Sequence, residues 1–185
     1  MAELPSTLWP VGYKYDRGAF LKEAQQLALS DGLAGLTYGK LARRLGIPDR
    51  VVVYYFPTKT DLILETLGAL GLQLQSVLAR AFGGTCRPPD ELVADAWQVF
   101  RTPEVEPIAA IFLEVVGLAA AGQAPYPTIA RDLVNTWVDW LEPLVADRED
   151  PHAAALSVVA RIDGLLLVRQ VLGMEAADAA AHFDG

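Results

Sequence analysis

The sequence predicts an all-α protein that consists of a three-helix N-terminal unit, one long connecting helix and an all-helical body. Three observations support this fold class. Apolar residues recur at the i, i+3 and i+4 spacing of helices through most of the 185 residues. Glycine, proline and capping residues divide these stretches at intervals of one helix length. No segment has the pattern of a β-hairpin, although residues 51–53, three valines, would suit a strand by themselves.

The composition indicates a protein with a sizeable core and no membrane segment. Apolar and aromatic residues make up 52% of the chain and charged residues 21%. The single cysteine, Cys86, excludes an intrachain disulfide and a multi-cysteine zinc site. The N-terminus lacks the features of a secretion signal, and the longest apolar stretch, residues 108–122, is short of a membrane span and contains Glu114. We therefore expect a cytoplasmic protein.

The charge is distributed unevenly along the chain. The formal net charge is −8, yet residues 1–60 contain eight Lys and Arg against five Asp and Glu. A basic N-terminal unit on an acidic body is typical of a DNA-facing head whose body discourages indiscriminate binding to DNA.

The first elements follow from local signals. Residues 1–15 contain prolines and aromatic residues without helical periodicity, and we interpret them as an N-terminal arm. The first helix is predicted to begin after Asp16, a good N-cap, and to end at Gly32. Two short helices are predicted over about 37–45 and 48–56, because Gly46 ends the first and Pro57 disfavours helical backbone before it.

Residues 38–56 have the features of a helix-turn-helix. This motif needs a small residue where two helices cross, a turn residue between them and apolar positions that lock the pair together. Ala42 supplies the small contact and Gly46 the turn. The apolar positions are Leu41, Leu45, Ile47, Val52 and either Tyr55 or Phe56.

A long helix is predicted over residues 59–82, because Thr58 and Asp61 match a capping box at its start. Two glycines at 83–84 and two prolines at 88–89 separate it from the next element. Body helices are predicted at about 90–101, at 103–122 in one or two pieces, at 127–145 and at 151–173, with a tail helix from Glu175. The predicted domains are the arm (1–15), a helix-turn-helix domain (16–60) and a body (61–185).

The run FLKEAQQLALSDGLAGLTYGKLARRLGIPDRVVVYYFPTKTDLI, which begins at Phe20, resembles the N-terminal domain of the tetracycline-repressor (TetR) family. The remaining sequence agrees with that family only in being an all-helical body of suitable length. The resemblance implies a homodimeric repressor that binds a palindromic operator in double-stranded DNA and is released by a small, largely apolar effector.

The resemblance also implies positions for DNA contacts. Thr37 and Tyr38 begin the first motif helix and Lys59 begins the long helix, where side chains and backbone amides meet phosphates. The remaining predicted DNA-binding residues, on or beside the second motif helix, are Asp49, Arg50, Val51, Tyr54 and Tyr55.

Three of these side chains suit contacts with particular bases, and a fourth has an alternative interpretation. Arg50 suits guanine, Val51 a thymine methyl group and Asp49 the amino group of cytosine. Tyr55 is better suited to fill the core beneath its helix than to contact DNA. Two departures from the family pattern, Pro48 in place of a serine cap and Val53 in place of a tyrosine, put operator strength and sequence in doubt.

The body is predicted to bind the effector and to dimerise. The aromatic density suits an apolar cavity, although core packing explains the same residues. The predicted effector-site residues are Trp97, Arg101, Phe112 and Trp137. By resemblance the last two long helices pair with those of a second copy. The predicted interface residues are Leu133, Trp140, Leu156, Ala160, Gly164 and Leu167.

Two other classes of function were considered. An enzyme is disfavoured because the sequence has no Gly-rich phosphate loop, no HExxH, no GxSxG and only two histidines, so no catalytic residue, metal site or cofactor is predicted. A dimeric small-molecule-binding protein with weak or lost DNA binding is the alternative that Pro48, Asp49 and Val53 support.

Overall fold

The structure, a computed structural model, describes residues 16–147 and 149–181. The predicted arm, residues 1–15, lies outside this part of the chain, as does His182. In the described residues all named elements are helices, and one isolated bridge joins Arg87 and Val145. The helices are α1 (Arg17–Gly35), α2 (Tyr38–Leu45), α3 (Asp49–Tyr55), α4 (Lys59–Phe82), α5 (Pro89–Phe100), α6 (Glu106–Ala120), α7 (Tyr126–Leu141), α8 (Pro151–Leu172) and α9 (Met174–Ala181).

Helix α1 begins and breaks where the sequence predicts. The Asp16 carboxylate accepts a hydrogen bond from the backbone N–H of Gly18 at 2.9 Å and caps the helix. At Gly32 the backbone turns to φ 71° and ψ 179°, a conformation that glycine adopts without steric cost. The last residues of α1 therefore form a separate turn that leads into α2.

Helices α2 and α3 form the predicted helix-turn-helix. Gly46 ends α2 in the left-handed region at φ 67°, and the N–H of Ile47 reaches back to the carbonyl of Ala42 at 3.0 Å. Ala42 is 1% exposed, as the close crossing of two helices requires. Helix α3 begins at Asp49 without a side-chain cap, because Pro48 occupies the N-cap position.

The core beneath these helices continues into the body. We call this cluster the head core. Most of its buried residues come from α1–α4, but α6 and α7 contribute to it as well. Its residues are Phe20, Ala24, Leu27, Ala28, Leu33, Leu36, Leu41, Ala42, Val52, Phe56, Leu62, Ile63, Leu67, Leu70, Ile111, Val115 and Ile129. The N-terminal helices are therefore packed directly against the body and not held by α4 alone.

Helix α4 crosses from the head core to a second cluster formed by α4–α9. The predicted capping box is confirmed: the Thr58 hydroxyl accepts from the N–H of Asp61 at 3.1 Å, and the Asp61 carboxylate accepts from the N–H of Thr58 at 2.9 Å. By length and apolarity α4 alone among the described helices matches a membrane span. Its buried leucines pack within the protein, which is the arrangement of a core helix.

The structure corrects two predicted boundaries. Helix α6 is a single helix that begins at Glu106, after a turn over residues 101–105, and not at 103. Helix α7 ends at Leu141, and residues 142–144 form one 3-10 turn instead of continuing to 145. Pro143 lacks the N–H that a longer α-helix requires, and its ring clashes with the carbonyl four residues earlier.

Candidate nucleic-acid interface and ligand cavity

One face of α3 points away from the head core. Its positions Asp49, Arg50, Val53 and Tyr54 are exposed, and Tyr54 has 81% of its surface accessible. A large aromatic side chain at such exposure is unusual in a folded protein and suits a surface that binds a partner. This face carries hydrogen-bond donors, an acceptor and an apolar group, which are the chemical types that read base edges.

The other two predicted α3 contacts lie differently. Val51 and Tyr55 are half-buried and pack against the head core. The Tyr55 ring lies 4.6 Å from that of Phe20, centroid to centroid. Tyr55 therefore fills the space beneath the helix, as its core interpretation expected. Val53, and not Val51, is the exposed valine of this helix.

The side chains at the start of α2 are engaged within the head. The Thr37 hydroxyl accepts from the N–H of Lys40 at 3.3 Å, and the Tyr38 hydroxyl donates to the Phe56 carbonyl at 3.0 Å. Burial, with a smaller contribution from the charge of Asp61, raises the pKa of Tyr38, so its hydroxyl stays a neutral donor. The Tyr38 bond ties the start of α2 to the end of α3.

Three exposed cations, one each on α2, α3 and α4, have no partner within the described residues. Arg43, Arg50 and Lys59 are exposed and form no hydrogen bond or ion pair with another residue of the ranges 16–147 and 149–181. Lys40, by contrast, pairs with Asp31 at 2.8 Å, and this bond, more than any other contact, lowers the pKa of Asp31. Charges without an internal partner remain available to an anionic ligand such as the phosphate backbone.

The Asp49 carboxylate lies close to the start of α2. A Cβ placed on Gly39 would lie 3.5 Å from the Oδ2 atom of Asp49, so this carboxylate faces the first turn of α2. The N-terminal turn of a helix carries partial positive charge, which stabilises a carboxylate as it would a phosphate. Asp49 therefore weakens the attraction of this corner for DNA.

Arg17 holds the end of α3 in place. Its guanidinium lies over the Phe56 ring at 5.1 Å, donates to the Tyr55 carbonyl at 3.3 Å and pairs with Glu65 on α4. These contacts join the first turn of α1, the end of α3 and the second turn of α4. The orientation of α3 is fixed by them as well as by the apolar core.

The family model that describes the bacterial regulatory proteins of the tetR family matches residues 20–66, the region from α1 into α4. Residues 20–66 of this chain are therefore similar to the corresponding segment of the TetR family. Its helix-turn-helix and all-helical body are the arrangement expected of that family, and α3 occupies the position of the recognition helix. The family is one of bacterial regulatory proteins, and this similarity in the helix-turn-helix region supports a DNA-binding role.

Several solved structures have a similar fold. A protein described as a TetR-family transcriptional regulator from Rhodococcus sp. has a TM-score of 0.70 and 17% identity over 88% of this chain and 92% of its own. A TetR transcriptional regulator from Legionella pneumophila has a TM-score of 0.62 and 18% identity over 93% and 96%. A transcriptional regulator from Streptomyces coelicolor A3(2) has a TM-score of 0.66 and 22% identity over 90% and 98%. No protein of curated function matches the sequence.

The body of this chain contains an apolar cavity of about 100 Å³. It lies between α4, α5, α6, α7 and α8, and its walls include five aromatic rings. The lining residues on which the arguments below depend are Leu67, Leu70, Gly71, Phe82, Phe100, Ile111, Phe112, Leu133, Trp137, Trp140 and Asp163. Leu67, Leu70 and Ile111 belong to the head core as well, so the cavity and the head share a wall.

The four predicted effector-site residues do not meet at one cavity. Phe112 and Trp137 line the apolar cavity. Trp97 and Arg101 instead line a separate recess beside α9, where the Trp97 indole N–H and the Arg101 guanidinium donate to the Asp178 carboxylate at 2.9 and 3.0 Å. These two side chains anchor α9 on α5.

The predicted dimer residues also divide into two groups. Leu133 and Trp140 on α7 are half-buried and line the apolar cavity, and the Trp140 ring packs 5.8 Å from that of Phe82. The four predicted positions on α8 are exposed. Two of them carry large apolar side chains, Leu156 at 46% and Leu167 at 55% exposed.

Three residues of structural consequence were missed by the sequence analysis. Arg17 was counted only as a charge, Glu114 was named only as an acidic residue within an apolar stretch, and Asp163 was not singled out. The side-chain carboxylate of Glu114 on α6 accepts a hydrogen bond from the N–H of Leu33 at 3.0 Å, at the break in α1. An acidic residue within an apolar helix stripe was the available signal for Asp163.

Proposed function

We propose that this chain is a ligand-responsive repressor that acts in the cytoplasm, binds a palindromic operator as a homodimer and leaves it when a small, largely apolar effector occupies the cavity. The observation that carries the proposal is the shared wall: Leu67, Leu70 and Ile111 line the cavity and also pack in the head core. A ligand that moves these side chains alters the packing beneath the DNA-facing helices.

The DNA-binding role is assigned to the exposed face of α3 with the flanking cations. Arg50 reads bases, Val53 and Tyr54 supply apolar contact, and Lys59 meets a phosphate, while Thr37 and Tyr38 present backbone amides at the start of α2. Asp49 limits the affinity for DNA in general. Val51 and Tyr55 support the helix from below.

Selection from random duplex DNA, followed by shift assays at several salt concentrations, tests this assignment. Arg50→Ala is expected to lose sequence preference, whereas Lys59→Ala is expected to weaken binding to all duplexes and to reduce the salt slope by about one. Arg80→Ala, an exposed cation in the last turn of α4, is the matched control. Equal binding of both head variants and the control would contradict the assigned roles.

The effector site is tested with two glycines of α4. Gly71 lines the cavity and Gly68, one turn earlier, is exposed; an added Cβ meets no atom within 4 Å at either position. Gly71→Leu fills the cavity, so it is expected to keep DNA binding and to lose ligand-induced release. Gly68→Leu is expected to keep both. Release that persists in Gly71→Leu would place the effector elsewhere.

The homodimer is proposed to form through α8. Six exposed positions follow a four-three spacing, small in the first half of the helix and large in the second: Ala153, Ser157, Ala160, Gly164, Leu167 and Val171. Small residues permit two helices to approach closely, and a symmetric pair of this face matches a two-fold operator. The outward positions of α7 are polar, so α7 contributes less to this pairing than the sequence suggests.

Gly164→Arg tests the interface, because it places a charge in the middle of the small-residue stretch. The expected result is a monomer by light scattering, with weakened binding to a full operator. Gly117→Arg is the control: Gly117 is an exposed helical glycine on α6 with no atom within 4 Å of an added Cβ. A dimer that persists in Gly164→Arg would exclude this face.

A protein that binds a small molecule as a dimer but has weak or lost DNA binding is the second candidate. The Asp49 carboxylate, which faces the start of α2, favours this second candidate. Asp49→Asn discriminates between the two functions, since it is expected to strengthen an existing DNA affinity severalfold. Failure of both the wild type and this variant to select any duplex, with dimerisation intact, would favour the second candidate.

A further inference from the structure

The apolar cavity contains one ionisable side chain among its described lining residues. This is Asp163, in the middle of α8. The other lining residues are aliphatic, aromatic or glycine, and they come from five helices. A carboxylate in such surroundings loses hydration without gaining an opposite charge, which is unfavourable unless a ligand supplies one.

Within the ranges 16–147 and 149–181, Asp163 forms no hydrogen bond or ion pair. The two arginines of α8 point elsewhere: Arg161 pairs with Asp90 on α5, and Arg169 pairs with Glu106 on α6 and donates to the Phe100 carbonyl. Burial raises the pKa of Asp163 to about 6, so the carboxylate is still mainly ionised at neutral pH.

The aromatic rings around the cavity suit a positive charge as well. Trp137 and Trp140 meet edge to face at 5.6 Å between ring centroids, and Phe100 and Phe112 contribute to the walls. Ring faces attract cations, most strongly those of tryptophan, when the site is shielded from water. A carboxylate and several aromatic side chains in one cavity suit a cation with an apolar body.

We propose that the effector of this regulator is a lipophilic monocation, an amine with about one aromatic ring or an equivalent alkyl chain, whose ammonium pairs with Asp163. The inference rests on the proposed function of the cavity as an effector site. The volume of about 100 Å³ limits the buried part of the ligand to roughly this size. An anionic ligand of the same shape is rejected, because its charge would face the carboxylate.

Calorimetric titration of the full chain with three probes of matched size tests the charge preference. The probes are 2-phenylethylamine, which is cationic, 2-phenylethanol, which is neutral, and phenylacetate, which is anionic. The amine is expected to bind most tightly and phenylacetate not at all. Asp163→Asn is expected to lower the affinity for the amine roughly ten- to a hundredfold and to leave the affinity for the alcohol unchanged.

Two controls accompany this variant. Asp139→Asn removes an exposed carboxylate from α7 and is expected to bind all probes as the wild type does. Gly71→Leu is expected to bind none of them. Thermal melting of each variant establishes that it is folded before titration.

The outcomes separate this inference from the proposed function. Equal affinity for amine and alcohol, tighter binding of phenylacetate, or an unchanged amine affinity in Asp163→Asn would overturn the cationic effector and leave the cavity as the effector site. Absence of binding by all three probes to the wild type would overturn the inference together with the cavity assignment. Selection of a specific duplex by the unliganded protein tests the DNA-binding role independently of both.

Discussion

At the residue scale, two charged side chains have opposite effects on the fold. Arg17 joins three helices through polar and ring contacts, whereas Asp163 is held in an apolar cavity without a partner. The first contributes to the geometry of the DNA-facing helix. The second is unfavourable for the unliganded fold and is therefore explained by binding and not by stability.

Arg17→Ala is expected to lower the free energy of unfolding by about 1 kcal/mol, because the guanidinium is partly exposed and its ion pair is screened by water. DNA binding is expected to weaken as α3 loses its support. Urea denaturation measures the first effect and a shift assay the second. Lys22→Ala, an exposed cation on the same helix, should change neither.

Asp163→Asn is expected to stabilise the unliganded protein at neutral pH by on the order of 2 kcal/mol. The pKa of Asp163 is about 6 in the folded chain and 3.8 as the ordinary value, so the folded state holds this proton more tightly. The wild type therefore loses stability as pH rises from about 4 through 6, and the asparagine variant does not. Denaturant midpoints at pH 4 and pH 8 should differ between variants only at pH 8. Asp139→Asn should follow the wild type at both.

At the scale of elements, the same substitution at two glycines is expected to act in opposite directions. Gly68 lies in the interior of α4 on its exposed side, where alanine restricts the unfolded chain and favours the helix. Gly46 makes the turn of the helix-turn-helix at φ 67°, a conformation that disfavours a side chain.

Gly68→Ala is accordingly expected to raise the free energy of unfolding by about 0.5–1 kcal/mol, and Gly46→Ala to lower it by about 1–2 kcal/mol. Thermal or urea unfolding of the two variants measures both values. If both substitutions change the free energy of unfolding in the same direction, the conformations described for Gly68 in α4 and for Gly46 in the turn are contradicted.

At the scale of the whole molecule, the contact between Glu114 and Leu33 joins the ligand cavity to the DNA-binding head. Phe112 and Ile111 on α6 line the cavity, and Glu114, within one turn of them, holds the N–H at the break in α1. If a ligand displaces α6, we expect this hydrogen bond to pass the displacement to α1, which packs against α2 and α4.

Glu114→Ala is expected to lower stability by about 1–3 kcal/mol, because the Leu33 N–H loses its partner. Ligand-induced release of DNA is expected to weaken more than DNA binding itself. Both effects are measured by titrating effector into the DNA complex and by urea unfolding. Glu104→Ala, an exposed carboxylate in the turn before α6, serves as the control. Unchanged release in Glu114→Ala would show that this hydrogen bond does not carry the signal.

Local signals along the chain predicted much of this architecture. Asp16, Gly46 and the pair Thr58 and Asp61 define helix ends through interactions within a few residues, so their roles follow from the sequence. The resemblance of residues 20–63 to the TetR family likewise depends on adjacent positions, and the family model matches residues 20–66.

Helical periodicity did not determine which face of each helix is covered, and by what. It gave Val51 and Trp97 the same apolar character as Tyr54 and Trp137, yet Val51 packs inward and Trp97 anchors α9. Nor did it distinguish Asp163 from the other acidic residues. An apolar stripe shows only that one face of a helix is removed from water. It does not show what covers that face, because the hydrophobic effect has no preferred direction. Only the packing of distant helices decides whether that surface becomes core, cavity wall or interface.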